Sequence, residues 1–172
     1  DSVYEPIVLK KWNKVWFHGT DNFSALMPLE AYNYKMIPGI DFYKFIFEAI
    51  NKNSKIQFLQ ADILEIIPEK QPVVITSKGN FEASEYIFDS VFRPKYDEPK
   101  NNNLMQHFLG WVIETEKPFF NVDEPTLFDF RIEQKDEFRF VYVLPISSQK
   151  ALIEFTIFSD NLIEKEEYNY YL

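Results

Sequence analysis

The sequence predicts an α+β fold whose second half is dominated by an antiparallel sheet. Four apolar segments with alternating character follow one another between residues 104 and 158, separated by short polar turns. Sequential strands joined by short loops pair antiparallel. One stripe at helical spacing (Phe42, Phe45, Ile46, Ala49 and Ile50) marks a helix among the strands. There are 4 glycines, Gly19, Gly39, Gly79 and Gly110, and no two stand close together. Neither a G-x-G-x-x-G turn nor a phosphate-binding loop can be built from them, because both need clustered glycine backbones against phosphate.

Taken in order, Val8 to Phe17 is a strand candidate containing Trp12 and Trp16, and Ala25 to Ile37 holds a second. Pro38-Gly39 is a turn. Asp41 is placed to cap a helix over Phe42 to Asn51. Ile56 to Ile67 reads as one or two strands and Val73 to Thr76 as another. Ser77 to Asn80 turns the chain into a strand over Phe81 to Phe88. Arg93 to Asn103 has two prolines and three consecutive asparagines without apolar periodicity, the signature of a linker loop. Beyond it come strands over Leu104 to Thr115, Thr126 to Glu133, Phe138 to Ile146 and Ala151 to Phe158. Lys135-Asp136 and Ser147 to Lys150 form the hairpin turns. Asn161 to Leu172 opens an acidic helix. The expected organisation is a β-α-β segment over 1–92, a linker over 93–103, and a sheet followed by the start of a helix over 104–172.

Composition narrows the function. The 172 residues are 46% hydrophobic and 18% aromatic, enough for a core and, read more sharply, for a long apolar ligand. A net charge of −9 argues against nucleic acid and against electrostatic docking to anionic lipid. Without cysteine there is no disulfide framework, thiolate metal site or thiol nucleophile. His18 and His107 lie far apart, in no metal-ligand spacing. No apolar run approaches the ~20 residues of a spanning helix. A cytoplasmic, bacterial-type protein is expected. The chain opens on Asp1 and stops in helix-like sequence, which reads as a piece of a longer protein.

A strand's period of two assigns its faces. Gln106, Phe108, Gly110, Val112 and Glu114 share one face, with His107, Leu109, Trp111 and Ile113 on the other. Phe138, Phe140, Tyr142 and Leu144 share a face that is almost wholly aromatic. Leu152, Glu154, Thr156 and Phe158 share another. Glu154 stands in an apolar run as either a solvated glutamate on a half-wet sheet or a carboxyl group held in a cavity. In an apolar cavity a carboxyl keeps its proton more readily and can serve as an acid. Asp129 and Arg131, two apart, read as a rim ion pair. His107 reads as a packed structural histidine.

Several segments, in order, resemble the lycopene cyclase family. Tyr86 to Ser90 is similar to its "YVFDSR"-type strand, although Arg93 follows Ser90 by three residues here. Gln106 to Thr115 resembles "QHFxGWxIET", and Asp129-Phe130-Arg131 resembles "DFR". Phe140 to Ser147 resembles "FxYxLPxS", and Ala151 to Thr156 resembles "ALIExT". The resemblance implies partial elements of a flavin hydroxylase-like (FAD/NAD(P)-binding) fold before residue 93 and a substrate-binding sheet after residue 103. It implies a parent enzyme, an intramolecular lyase or isomerase. That enzyme protonates the ends of lycopene and closes them into β-rings without net redox change, using reduced FAD with NADPH only as its reductant. The family's glycine-bearing ends are not in this sequence, so this piece is expected neither to hold FAD nor to act alone.

The resemblance further implies Glu154 as the acid or base, with Glu114 second. In some bacterial members the important glutamate falls at the position of Val112, on the face of Glu114. Phe108, Trp111, Phe140, Tyr142 and Thr156 are the implied walls for a polyene, and peripheral contact with the inner membrane is allowed. Two other readings stay open: a piece of a related flavin monooxygenase or reductase on an apolar substrate, and a non-catalytic module for an apolar ligand.

Overall fold

A computed structural model describes residues 3–90 and 103–172. After a 3-10 turn at Glu5–Ile7 the order is β1 (Lys10–Trp12), β2 (Lys14–His18), β3 (Ser24–Pro28), β4 (Tyr34–Met36), α1 (Gly39–Asn51), β5 (Ile63–Ile67), β6 (Val73–Thr76) and β7 (Gly79–Glu82). The second half adds β8 (Met105–Glu114), β9 (Thr126–Asp129), β10 (Phe138–Pro145), β11 (Lys150–Ser159) and α2 (Lys165–Tyr171). The fold is α+β. Contacts divide it into two units. One joins the described residues up to Tyr43 with those from Asn103 on, and the other begins at Lys44.

The first unit is built on a six-stranded sheet in the order β3-β2-β9-β10-β11-β8. The four strands expected after residue 103 are all present, but β8 does not pair with its sequence neighbour β9. It closes on β11, from Glu114 opposite Lys150 to Met105 opposite Ser159. The sheet is not confined to the second half either. β2 adds to β9 in parallel, with Phe17 beside Phe128, and β3 flanks β2. The expected single strand over Val8 to Phe17 breaks at Asn13. Before the break β1 pairs with β4 in a separate two-stranded ribbon, with Trp12 opposite Tyr34. Ala25 to Ile37 likewise divides into β3 and β4.

The β9–β10 connection uses Lys135 and Asp136 at φ 49° and 59°, left-handed values that an aspartate tolerates comparatively well. Gln134 seals this loop. Its amide donates to the carbonyls of Phe130, Ile132 and Arg139 at 3.2, 3.2 and 2.8 Å, and its oxygen accepts from the Arg139 N–H at 3.1 Å. The side chain thereby stands in for missing ladder bonds.

Helix α2 covers one face of the sheet. Phe155, fully buried, meets Tyr171 at 4.8 Å and Tyr168 at 6.2 Å between ring centroids. Arg139, 2% exposed, donates to Glu137 at 2.7 Å and to Glu167 of α2 at 2.8 Å. Pairing satisfies a cation that would otherwise be costly to bury.

His107 joins the same clamp. The Ser159 hydroxyl donates to the Asn161 carbonyl at 2.6 Å, so its oxygen accepts from His107 Nε2 at 2.7 Å. Nδ1 is then the acceptor for the Tyr168 hydroxyl, a tautomer assigned from the hydrogen-bond network. Burial, ahead of the other influences, holds the imidazole below its ordinary 6.5. The folded state therefore favours the neutral ring. Its contribution to stability is complete above pH 6.5 and is lost as pH falls through and below that value. Thermal melts across pH 8 to 5 should show a decline in the wild type (about the range in which an imidazole titrates). The decline should shrink in His107→Gln. Equal slopes in the two proteins would remove this role.

In the second unit β5, β6 and β7 form an antiparallel sheet. The β6–β7 turn is two residues, Ser77 and Lys78, closed by Gly79 at φ 131°, where a side chain would be strained. The strand expected over Phe81 to Phe88 stops at Glu82, and residues 56–61 are irregular. Tyr86 to Ser90 are likewise not a strand, and Phe88 is 95% exposed. Helix α1 starts three residues earlier than expected. The Pro38 carbonyl accepts from Phe42 N at 3.0 Å, which puts Asp41 inside the first turn rather than at the cap. The expected linker is outside the described residues except for Asn103.

Candidate functional site

The face of the six-stranded sheet away from α2 is the aromatic one. Phe138, Phe140 and Tyr142 of β10 lie on it by alternation, and Phe128 and Phe130 reach them from β9 and its end. Phe140 meets Tyr142 at 5.0 Å and Phe128 at 5.1 Å, and Phe130 meets Phe138 at 4.9 Å. A hollow of about 430 Å3 opens at the far end of this ladder, lined by Phe17, Phe23, Phe130, Phe138 and polar loop residues.

Glu154 sits in the middle of β11 on that face, directly opposite Tyr142 on one side and Gly110 on the other. It is half-buried. A Cβ added at Gly110 would meet Leu152 Cδ1 at 3.3 Å and both Cβ and Oε2 of Glu154 at 3.4 Å, so the two residues lie against the Gly110 backbone. The buried Thr156 hydroxyl donates to Oε1 at 3.2 Å. Among the described residues no salt bridge involves Glu154.

Tyr34 lies on β4, opposite Trp12 of β1. Burial, then the charge of Glu154, raises its phenol above 10. Burial, then Tyr34 and Glu154, does the same for Tyr142. Trp12 supports Tyr34 by stacking at 5.9 Å and is itself anchored through Nε1 to the Val122 carbonyl at 2.8 Å. Sequence reasoning missed Tyr34. Its strand is three residues long, too short for alternation to register, and it reaches this position only through pairing with Trp12.

The other expected site residues divide. Phe108, opposite Thr156 and 59% exposed, shares the face of Glu154 and is accessible. Phe140 and Thr156 share it too but are buried, so the first backs Tyr142 and the second steadies Glu154. Trp111 pairs with Ile153 and points to the opposite face, away from Glu154. Glu114 lies at the strand end, with its side chain 71% exposed and bridged to Lys150 at 3.0 Å. Such a surface pair contributes about 0–1 kcal/mol.

Asp129 and Arg131 form the expected ion pair. Burial pushes the carboxyl up, but the guanidinium, bonded at 2.8 and 2.6 Å, outweighs it and holds the group below its usual value. Among the described residues no group of three or more His, Asp or Glu could hold a metal, and no helix is long and apolar enough to cross a membrane.

A flavin dinucleotide needs a glycine turn opening onto a helix N-terminus to cradle its pyrophosphate. Here Gly39 opens α1 alone after Pro38, Gly79 closes a hairpin, Gly110 is mid-strand and Gly19 follows β2. The residues of this chain do not fit that group.

The sheet thus has an aromatic face with one half-buried acid, Glu154, at the middle of β11. The family model described as lycopene cyclase protein matches residues 1–171, and the chain belongs to that family. Over 55 residues, 32% of the chain, it is 44% identical to a lycopene beta-cyclase from Paracoccus sp.. That match spans 14% of the relative's length.

Proposed function

We propose that the full-length protein closes the linear ends of lycopene into β-rings, with Glu154 as the acid that starts the reaction. The observation that supports this most is the setting of Glu154, a half-buried carboxyl group between Gly110 and Tyr142 on an aromatic face.

In this reading Glu154 gives its proton to the terminal double bond. The tertiary cation that results is attacked by a second double bond of the same chain, and loss of a ring proton restores an alkene. The overall change is an isomerisation. Rings of Phe108 and Tyr142 present their faces to the passing cation, an attraction worth on the order of 1–2 kcal/mol each when desolvated. Thr156 orients the carboxyl group through its hydrogen bond to Oε1. Glu114, paired with Lys150 in solvent, takes no part. Glu114→Gln is expected to leave ring formation within about twofold of wild type, as for most surface substitutions. Pigment extracts of cells carrying that variant check this.

The wider fold proposed for the full-length protein is flavin hydroxylase-like. Reduced FAD belongs to that protein and not to the residues described here, so no step is routed through it. Peripheral contact with the membrane that dissolves the polyene completes the proposal.

The test is expression of the full-length protein in lycopene-accumulating cells, with pigments separated by chromatography. Ring-bearing products support the cyclase. Lycopene left unchanged by a folded, cofactor-loaded protein removes it and favours a module that only binds an apolar ligand.

A further inference from the structure

β8 is the last strand of the six-stranded sheet, and among the described residues no strand pairs with its outer edge. On the face of Glu154 it presents Phe108, Gly110 and Val112, opposite Thr156, Glu154 and Leu152 of β11. Phe108 and Val112 are 59% and 58% exposed. Their Cα atoms stand about 13 Å apart along the strand. The one residue between them on this face has no side chain. The edge of the sheet is therefore notched, with an apolar wall on each side and the Gly110 backbone as its floor.

The acid reaches into this notch. A Cβ at Gly110 would stand 3.4 Å from Glu154 Oε2. The other oxygen, Oε1, accepts from the Thr156 hydroxyl at 3.2 Å. Oε2 is thus the oxygen left to carry a transferable proton, and it is the one that lies against Gly110.

Backbone conformation does not call for glycine here. Of the glycines, Gly79 has a positive φ and Gly110 does not. A mid-strand glycine weakens a strand, and an exposed edge position ordinarily suits a β-branched residue. What Gly110 supplies is space. An added Cβ would crowd Leu152 Cδ1 and Glu154 Oε2, the ends of two flexible side chains, and Glu154 Cβ, all at 3.3–3.4 Å. A flat conjugated chain is about 3.5–4.0 Å thick, the contact distance between carbons. It can lie across a bare glycine between the two walls, where a larger residue would hold it off the carboxyl group.

We propose that Gly110 is a specificity-determining residue of the site. The gap it leaves between Phe108 and Val112 admits the end of a linear polyene across the sheet edge to Glu154 Oε2. This rests on the reading of Glu154 as the acid.

The test uses the full-length protein loaded with its own reduced cofactor, acting on lycopene in phosphatidylcholine vesicles. Variants are Gly110→Ala, Gly110→Val, Val112→Ala, Gly110→Ala combined with Val112→Ala, and Glu154→Gln. One carbon more or less in a fitted apolar pocket is worth about 10- to 200-fold, so Gly110→Ala should lower kcat/KM about 10-fold and Gly110→Val about 100-fold or more. Both should melt within about 2 °C of the wild type or above it, because glycine is the poorest strand residue of the three. Val112→Ala widens the notch at one wall. In the Gly110→Ala background it should restore at least about threefold of the lost rate, a coupling expected of neighbours that share one space. Damage to the fold would not be repaired in this way.

Wild-type kcat/KM in either Gly110 variant, while Glu154→Gln is inactive, removes the notch and leaves the acid. A loss in Gly110→Ala that Val112→Ala does not restore also removes it, and the glycine is then a packing residue. If Gly110→Val does not fold, Gly110→Ala and its combination with Val112→Ala decide alone. If Glu154→Gln turns over normally, the notch and the acid fall together.

Discussion

Replacing Glu154 with glutamine is expected to lower ring formation by about 10²- to 10⁴-fold, the usual cost of removing a positioned general acid. The amide has nearly the shape of the carboxyl group. Its oxygen can still accept from Thr156, and no ion pair among the described residues is broken. The fold should therefore survive, and the loss should be chemical. An amide cannot transfer a proton to an alkene under these conditions, and the groups around position 154 cannot replace the lost acid. Gly110 has no side chain, and Tyr142 and Tyr34 hold their protons more tightly than ordinary phenols because burial raises them. Chromatography of pigments from lycopene-accumulating cells, normalised to protein, measures the effect. Wild-type amounts of ring products from a verified Glu154→Gln protein would end the assignment of the acid.

The second large effect is on stability. Phe155 is fully buried at the centre of β11, opposite Val141 and Leu109, with Tyr168 and Tyr171 of α2 resting on it. Phe155→Ala removes a whole ring from beneath the helix, a change that costs about 3–5 kcal/mol in well-packed cores. For a protein of this size that lowers the melting temperature by roughly 6–20 °C. Helix α2 should suffer first, because Phe155 is its aromatic floor and the Arg139–Glu167 bridge and the His107–Tyr168 bond depend on its seating. Thermal denaturation followed by circular dichroism checks the size of the effect. A shift under about 2 °C would mean that the sheet and helix repack around the cavity or were never tightly joined.

Much of the face containing Glu154 was legible in the sequence. Alternation is local, since each residue of a strand points opposite to the one before it. It therefore assigned Phe108, Phe140, Tyr142, Glu154 and Thr156 to the faces on which the structure has them. The same rule had already set Trp111 on the face opposite Phe108, and its inclusion among the polyene walls went against that periodicity. Turn chemistry was legible for a similar reason. Gly79 answers a backbone conformation that other residues resist, and Lys135-Asp136 lies between two apolar runs.

Burial was not legible, because it depends on what covers a face. Nothing in the alternation distinguishes the exposed Phe108 from the buried Phe140, or a solvated Glu114 from a half-enclosed Glu154.

The sequence by itself determined the α+β class, the four strands after residue 103 and which side chains travel together on each. Only the tertiary structure decided that β8 closes on β11, that β2 joins β9 in parallel, and that β1 pairs with β4 in a ribbon of its own. The physical reason is that every strand edge offers the same N–H and C=O groups to any partner. The choice among partners is made by loop closure and by burial summed over distant segments, and no short window of sequence contains that sum.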